Sequence, residues 1–228
     1  MILLILFILK IVLIHFLFLT KIKLKKNQLK INKKMEKACY SETLNNLSKT
    51  FSEKSKKQPN YFKELDKGQA PKILWIGCAD SRVDPSEILN MRPGNIFVQR
   101  NVANQIHLHD PNALAVIEYA VIHLKVDYVV VCGHSNCGGV NASCGDLTKV
   151  ESNLQAFLKP LGELCNTVSE GGKVSGKELQ EKMYLENVKQ QVKNVNSLEF
   201  VKDAVKNRGL QVLPMIFRLD SGLLLKVE

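Results

Sequence analysis

The sequence predicts an α/β domain built on a largely parallel central sheet, four parallel strands plus an antiparallel edge strand, flanked by helices. Three observations carry this. The runs "KILWIGC" (72–78) and "DYVVVCGH" (127–134) are short, continuously apolar and closed by glycine, as parallel strands buried on both faces read. Helical patterns alternate with the strands, which implies parallel crossovers. The chain closes on "GLQVLPMIFRLDSGLLLKVE", a strand and hairpin turned at Asp220-Ser221-Gly222.

In chain order, residues 36–66 read as helical with a break at Pro59. "APKILWIGC" is the first strand, and "PSEILNMRPG" a short helix stopped at Pro93-Gly94. "NIFVQRNVAN" is a second strand running into a loop. "DPNALAVIEYAVIHLKV" is a helix with Pro111 in its first turn and Leu114, Ile117, Ala120, Val121 and Leu124 as its apolar stripe. After the 127–139 strand and loop, residues 150–168 and 178–207 are helical. "SEGGKVSGK" (169–177) is a loop expected to be mobile.

Charge is uneven. Residues 1–37 hold nine lysines and one acid, while the other 191 residues carry 23 Lys+Arg against 21 Asp+Glu. The body is near neutral, so no nucleic-acid face is expected. The first 20 residues contain 17 apolar ones, about the length of a bilayer span, followed by a Lys-rich segment that the positive-inside rule keeps cytoplasmic. They lack the basic start and small-residue cleavage site of a signal peptide. Residues 1–34 are read either as a membrane anchor or as an over-extended start before Met35, with residues 35–228 as the catalytic domain. Either way the body is expected in the cytoplasm. Six cysteines in a chain with a full-sized core are read as metal or redox chemistry, not as a disulfide scaffold.

The chemistry concentrates at strand ends. The first strand ends at Cys78, followed by Asp80 and Arg82; the later one ends in His134-x-x-Cys137. In a doubly wound sheet both carboxyl ends open on one crevice. Two thiolates and one imidazole are a zinc set with one position open, the pattern of a catalytic site. Singly, each is more often a buried Cys or a satisfied core His; all three at strand ends weaken that reading. A carboxylate held by Arg stays ionised and only accepts hydrogen bonds. Beside a metal-activated water, Asp80 selects hydroxide with its proton turned toward the acid, and Arg82 fixes the acid. The competing reading is a surface ion pair worth almost nothing. "GGKVSGKE" (171–178) is G-x₄-G-K without the Ser/Thr or a preceding strand, so it is a loop. Sequons at Asn46 and Asn141 are read as chance.

The motifs "GCADSRV" (77–83), "PGNIFVQRNVAN" (93–104), "IEYAVIHLKV" (117–126) and "GHSNCGG" (133–139) resemble the β-class carbonic anhydrases, from about Leu44 to Leu225. The resemblance implies reversible hydration of carbon dioxide, zinc on Cys78, His134 and Cys137, and an Asp80–Arg82 dyad. It implies a substrate pocket from Gln69, Phe97, Val102, Tyr119 and Gly138, completed by a second subunit in a homodimer or a multiple of dimers. Some members close allosterically, which offers a regulatory bicarbonate site at Trp75, Arg100 and Tyr119; otherwise Trp75 is core and Arg100 packs the strand end. The same fold and site also serve carbon disulfide or carbonyl sulfide hydrolysis, and a non-catalytic zinc or bicarbonate-sensing module is the reading from another class. His107, His109 and His123 are candidate proton carriers. Two departures stand out: Pro214 in the closing strand, and Phe157 where a Trp is common.

Overall fold

The computed structural model describes residues 41–43 and 46–228. The expectations for residues 1–34, including the 34/35 boundary, lie outside the described residues. The chain divides after Asp66 into two compact units. In the first, α1 (Leu47–Lys57) and α2 (Pro59–Asp66) are parted at Gln58, because the residue before a proline is driven out of the helical region. The Lys54 ammonium sits 4.8 Å over the Tyr61 ring.

The second unit, Lys67–Glu228, carries the sheet. β1 (Ile73–Cys78), β2 (Ile96–Asn101), β3 (Tyr128–His134), β4 (Gln211–Arg218) and β5 (Leu223–Lys226) lie in the order β2-β1-β3-β4-β5. The first four are mutually parallel, and β5 runs antiparallel against β4. The chain leaves β1 toward one side and returns beyond β2 to the other. The carboxyl ends of β1 and β3 therefore flank the topological switch point, where a crevice opens. Pro214 is tolerated in β4 because the β5 ladder reaches only Met215, and Pro214 still accepts the Val227 N–H at 2.9 Å.

Alternation along β1 divides the core. Leu74, Ile76 and Cys78 face the main cluster with helices α4 (Pro111–Glu118), α6 (Ser152–Val168), α7 (Gly176–Ser197) and α8 (Glu199–Arg208). Trp75 faces the opposite way with Val130 and Cys132. On that second face the helical cover within the cluster, among the described residues, is Ile88 of short α3 (Pro85–Ile88) and its cap Leu89.

Three expectations need correction. The helix expected over 178–207 is two helices, because Leu198 takes an extended conformation (φ −73°, ψ 126°) between α7 and α8. The helix beginning at Pro111 is regular only to Glu118; Tyr119–His123 form a π-turn. Finally, Cys144 and Cys165 are joined in a disulfide, between the end of α5 (Gly138–Ser143) and α6. Their spacing hides this; packing of α5 on α6 brings their Cα atoms to 5.5 Å. Of the expected 169–177 loop, residues 169–174 form a turn whose Val174 is buried, and Gly176 and Lys177 already belong to α7.

Candidate metal centre and active site

Cys78 is the last residue of β1 and His134 the last of β3, so the parallel register sets both at the crevice. A tight turn through Asn136, in the left-handed region at φ 55°, returns the chain so that Cys137 caps α5. The ligand atoms of Cys78, His134 and Cys137 lie within 4.8 Å of one another, and all three residues are buried.

The details fit a soft dication. The sulfurs of Cys78 and Cys137 are 3.9 Å apart, and two zinc–sulfur bonds at a tetrahedral angle set sulfurs about 3.8 Å apart. His134 Nδ1 lies 2.9 Å from the Ser135 carbonyl, which only accepts, so in the neutral imidazole Nδ1 carries the proton and Nε2 is the free lone pair. Nε2 is buried with no hydrogen-bond partner among the described residues. Buried polar atoms almost always have a partner, and a metal is the partner this donor set suits. The thiols agree. The Cys137 thiol, with backbone N–H groups including that of Ala103, lowers the Cys78 pKa against its burial. Cys78 and burial in turn push Cys137 far up. Without a cation, only one of the pair ionises; with one at the centre, both can.

Asp80 faces this group. Its Oδ2 is 3.8 Å from His134 Nε2. Arg82 grips the carboxylate with Nε on Oδ1 at 2.9 Å, Nη2 on Oδ2 at 2.6 Å and its backbone N–H on Oδ1 at 3.0 Å. Those bonds hold Asp80 well below the usual carboxylate range. Arg82 Nη2 also donates to the Asn136 carbonyl at 3.2 Å, joining the two ligand-bearing loops.

Phe97 and Tyr119 stack with ring centroids 5.7 Å apart. Val102 is exposed, and a Cβ added at Gly139 would lie 2.6 Å from Val102 Cγ1, so α5 packs closely against it there, whereas a Cβ at Gly138 would meet nothing within 4 Å. Gln69 is exposed in the segment before β1. Trp75 and Arg100 lie on one face of β1 and β2, Trp75 paired with Val98 and Arg100 two positions on, opposite Gly77, while Tyr119 stacks on Phe97. Trp75 is in the second core cluster, whereas the Phe97 on which Tyr119 stacks packs on the main one. Arg100 spends its donors on the loop carbonyls, Nε to Cys78 at 2.7 Å and Nη2 to Asp80 at 2.6 Å. His107 bonds Gln105 and packs on Phe157, His123 lies against Tyr119, and His109 is exposed. Asn141 accepts the Tyr184 hydroxyl at 2.8 Å, a poor place for a glycan.

Known proteins agree with this geometry. The family model described as carbonic anhydrase matches residues 73–224. A solved tetrameric β-carbonic anhydrase of Sordaria macrospora superposes with a TM-score of 0.76 at 35% identity, over 82% of this chain and 96% of that one. This chain belongs to the β-class carbonic anhydrases. The β-carbonic anhydrase CafA of Aspergillus fumigatus is 38% identical with a TM-score of 0.75, covering 83% of this chain and 90% of that one. The carbonic anhydrase of Saccharomyces cerevisiae is 34% identical over 79% of this chain and 85% of its own length. That of Emericella nidulans is 34% identical over 73% of each. The enzyme interconverts carbon dioxide and bicarbonate.

Sequence reasoning missed three groups: Arg100 as a clamp on the ligand loop, the Asn136 carbonyl, and the Ala103 N–H, which donates to Cys78 Sγ at 3.4 Å. Backbone donors and acceptors leave no mark in residue type. Arg100 left one, a cation at a strand end, but not its target.

Proposed function

We propose that Cys78, His134 and Cys137 hold one zinc ion per subunit, and that Asp80 and Arg82 prepare the nucleophile. Bound there, zinc supplies a hydroxide at neutral pH by lowering the pKa of water toward ~7. The supporting observation is the unpartnered His134 Nε2 with the Arg82-locked Asp80 carboxylate 3.8 Å away. Asp80, ionised and bonded on both oxygens, accepts the nucleophile's proton as a hydrogen bond and turns a lone pair toward the substrate. Phe97, Val102 and Tyr119 offer an apolar wall for carbon dioxide. Gln69 and the Gly138 N–H orient the bicarbonate that forms, in a pocket completed in part by a second subunit.

The always-open form is favoured over bicarbonate gating. Asp80 is on Arg82, and Arg100 donates to the Cys78 and Asp80 carbonyls. A homodimer or a multiple of dimers is supported by the thinly covered second sheet face, where Val98 and Tyr128 remain exposed. No helix among the described residues is long and apolar enough to cross a membrane. We infer a cytoplasmic location from the sequence reading; the Cys144–Cys165 disulfide, of a kind rare in that compartment, weighs against it, and cell fractionation decides. Stopped-flow hydration of carbon dioxide, set beside hydrolysis of carbon disulfide and carbonyl sulfide, tests the substrate. Fast turnover of the sulfur compounds alone overturns the assignment.

A further inference from the structure

We propose that the buried carboxamides of Asn187 and Gln191 on α7 are positioning residues for the metal centre. They act through the turn Val102–Asn104. The proposal rests on the zinc reading above.

This turn is conformationally costly. Ala103 (φ 61°, ψ 32°) and Asn104 (φ 47°) are consecutive non-glycine residues in the left-handed region. Such residues persist where their surroundings over-determine them. The turn touches the Cys78 thiolate and lies against the segment just beyond Cys137. Ala103 donates its N–H to Cys78 Sγ at 3.4 Å, and a Cβ added at Gly139, two residues beyond Cys137, would meet the Ala103 side chain at 3.1 Å. A small rotation of this turn would redirect the N–H away from the sulfur.

α7 holds it in place. Asn187 Nδ2 donates to the Ala103 carbonyl at 3.0 Å, the other end of the residue whose N–H meets Cys78. Gln191 Nε2 donates to Asn187 Oδ1 at 2.9 Å, and Gln191 Oε1 accepts the Ile106 N–H at 2.8 Å. One helical turn on, Asn194 Nδ2 donates to the Ile106 carbonyl at 2.8 Å. Asn187 is 1% and Gln191 3% exposed. The segment could be covered by apolar side chains at lower desolvation cost; only amides satisfy its carbonyl and N–H while fixing its orientation. From the strand side Asn101 closes the same loop, donating to the Gln105 carbonyl and accepting its N–H, each at 2.7 Å. A hydrogen bond to a ligating sulfur changes its donor strength, and such supporting bonds commonly shift metal affinity 10–100-fold.

The test uses the full chain carrying zinc or, after exchange, cobalt(II). Asn187→Asp keeps the shape but replaces the donor with a carboxylate that repels the Ala103 carbonyl. Gln191→Glu still accepts from Ile106 and leaves the Asn187 donation to Ala103 in place, while its second carboxylate oxygen faces Asn187 Oδ1 where a donor stood. Val201→Ala on α8, buried and outside this network, is the stability control. Both amide variants are expected to bind one metal per chain yet release zinc to a chelator at least about 10-fold faster than wild type. Their thiolate-to-cobalt absorption should shift, while Val201→Ala matches wild type in both. If Asn187→Asp does not fold, Gln191→Glu is read by the same two measurements. Wild-type release rate and an unshifted cobalt band in the folded variants overturn the proposal. Wild-type protein that holds no metal overturns the zinc assignment instead.

Discussion

The Arg82 guanidinium takes both oxygens of the Asp80 carboxylate, Nε on Oδ1 at 2.9 Å and Nη2 on Oδ2 at 2.6 Å, two residues along the same turn. That geometry makes Asp80 an acceptor aimed at the metal side of the site, not a metal ligand. Replacing Asp80 by Asn leaves size and shape and adds a donor. The variant should keep its zinc and its assembly and lose roughly 10²-fold or more in carbon dioxide hydration. Near-wild-type turnover would remove Asp80 from the mechanism.

The same pair makes a prediction about pH. Arg82 depresses the Asp80 pKa, so the pair is intact above the ordinary carboxylate range and is lost only as pH falls through the lowered value. Activity between pH 6 and 9 should therefore follow one shallow titration, from the water activated at the metal and not from Asp80. Added bicarbonate should inhibit no more than product inhibition requires. A steep, cooperative rise with pH, deepened by bicarbonate at the acid end, would restore the gated reading of Trp75, Arg100 and Tyr119.

The disulfide should matter to stability more than to chemistry. Cys144 and Cys165 close a loop 21 residues apart, and the bond touches neither the dyad nor a metal ligand. By loop-closure entropy the double variant Cys144→Ser/Cys165→Ser should be less stable by about 3 kcal/mol in urea unfolding. Its turnover at 25 °C should stay within a few-fold of wild type. A metal-free or inactive folded variant would show that the bond supports the site.

The Cys78, His134 and Cys137 cluster was legible in the sequence because unusual residue types, two Cys and a His, stand at the ends of apolar runs. Strand ends at a switch point are where the α/β topology forces side chains into one crevice. Asp80 and Arg82 were legible for the same reason, being local to Cys78. What escaped was non-local. Leu198 looks like any apolar residue of an amphipathic helix, yet it takes an extended conformation between α7 and α8. The Cys144–Cys165 bond depends on how α5 packs on α6. Asn187 and Gln191 read as ordinary polar positions on α7, and only the fold shows them buried against a turn some 85 residues away. Trp75 and Tyr119 were grouped by resemblance, while strand alternation sets Trp75 on the face away from the cluster on which Phe97 packs.

The central claim is that Cys78, His134 and Cys137 hold the zinc on which hydration depends. The most direct measurement is zinc content and stopped-flow carbon dioxide hydration on the same sample of wild type and Cys137→Ser. One zinc per chain with fast hydration in wild type, and loss of both together in a folded Cys137→Ser protein, is the predicted result. Stoichiometric zinc or wild-type hydration in Cys137→Ser would contradict it.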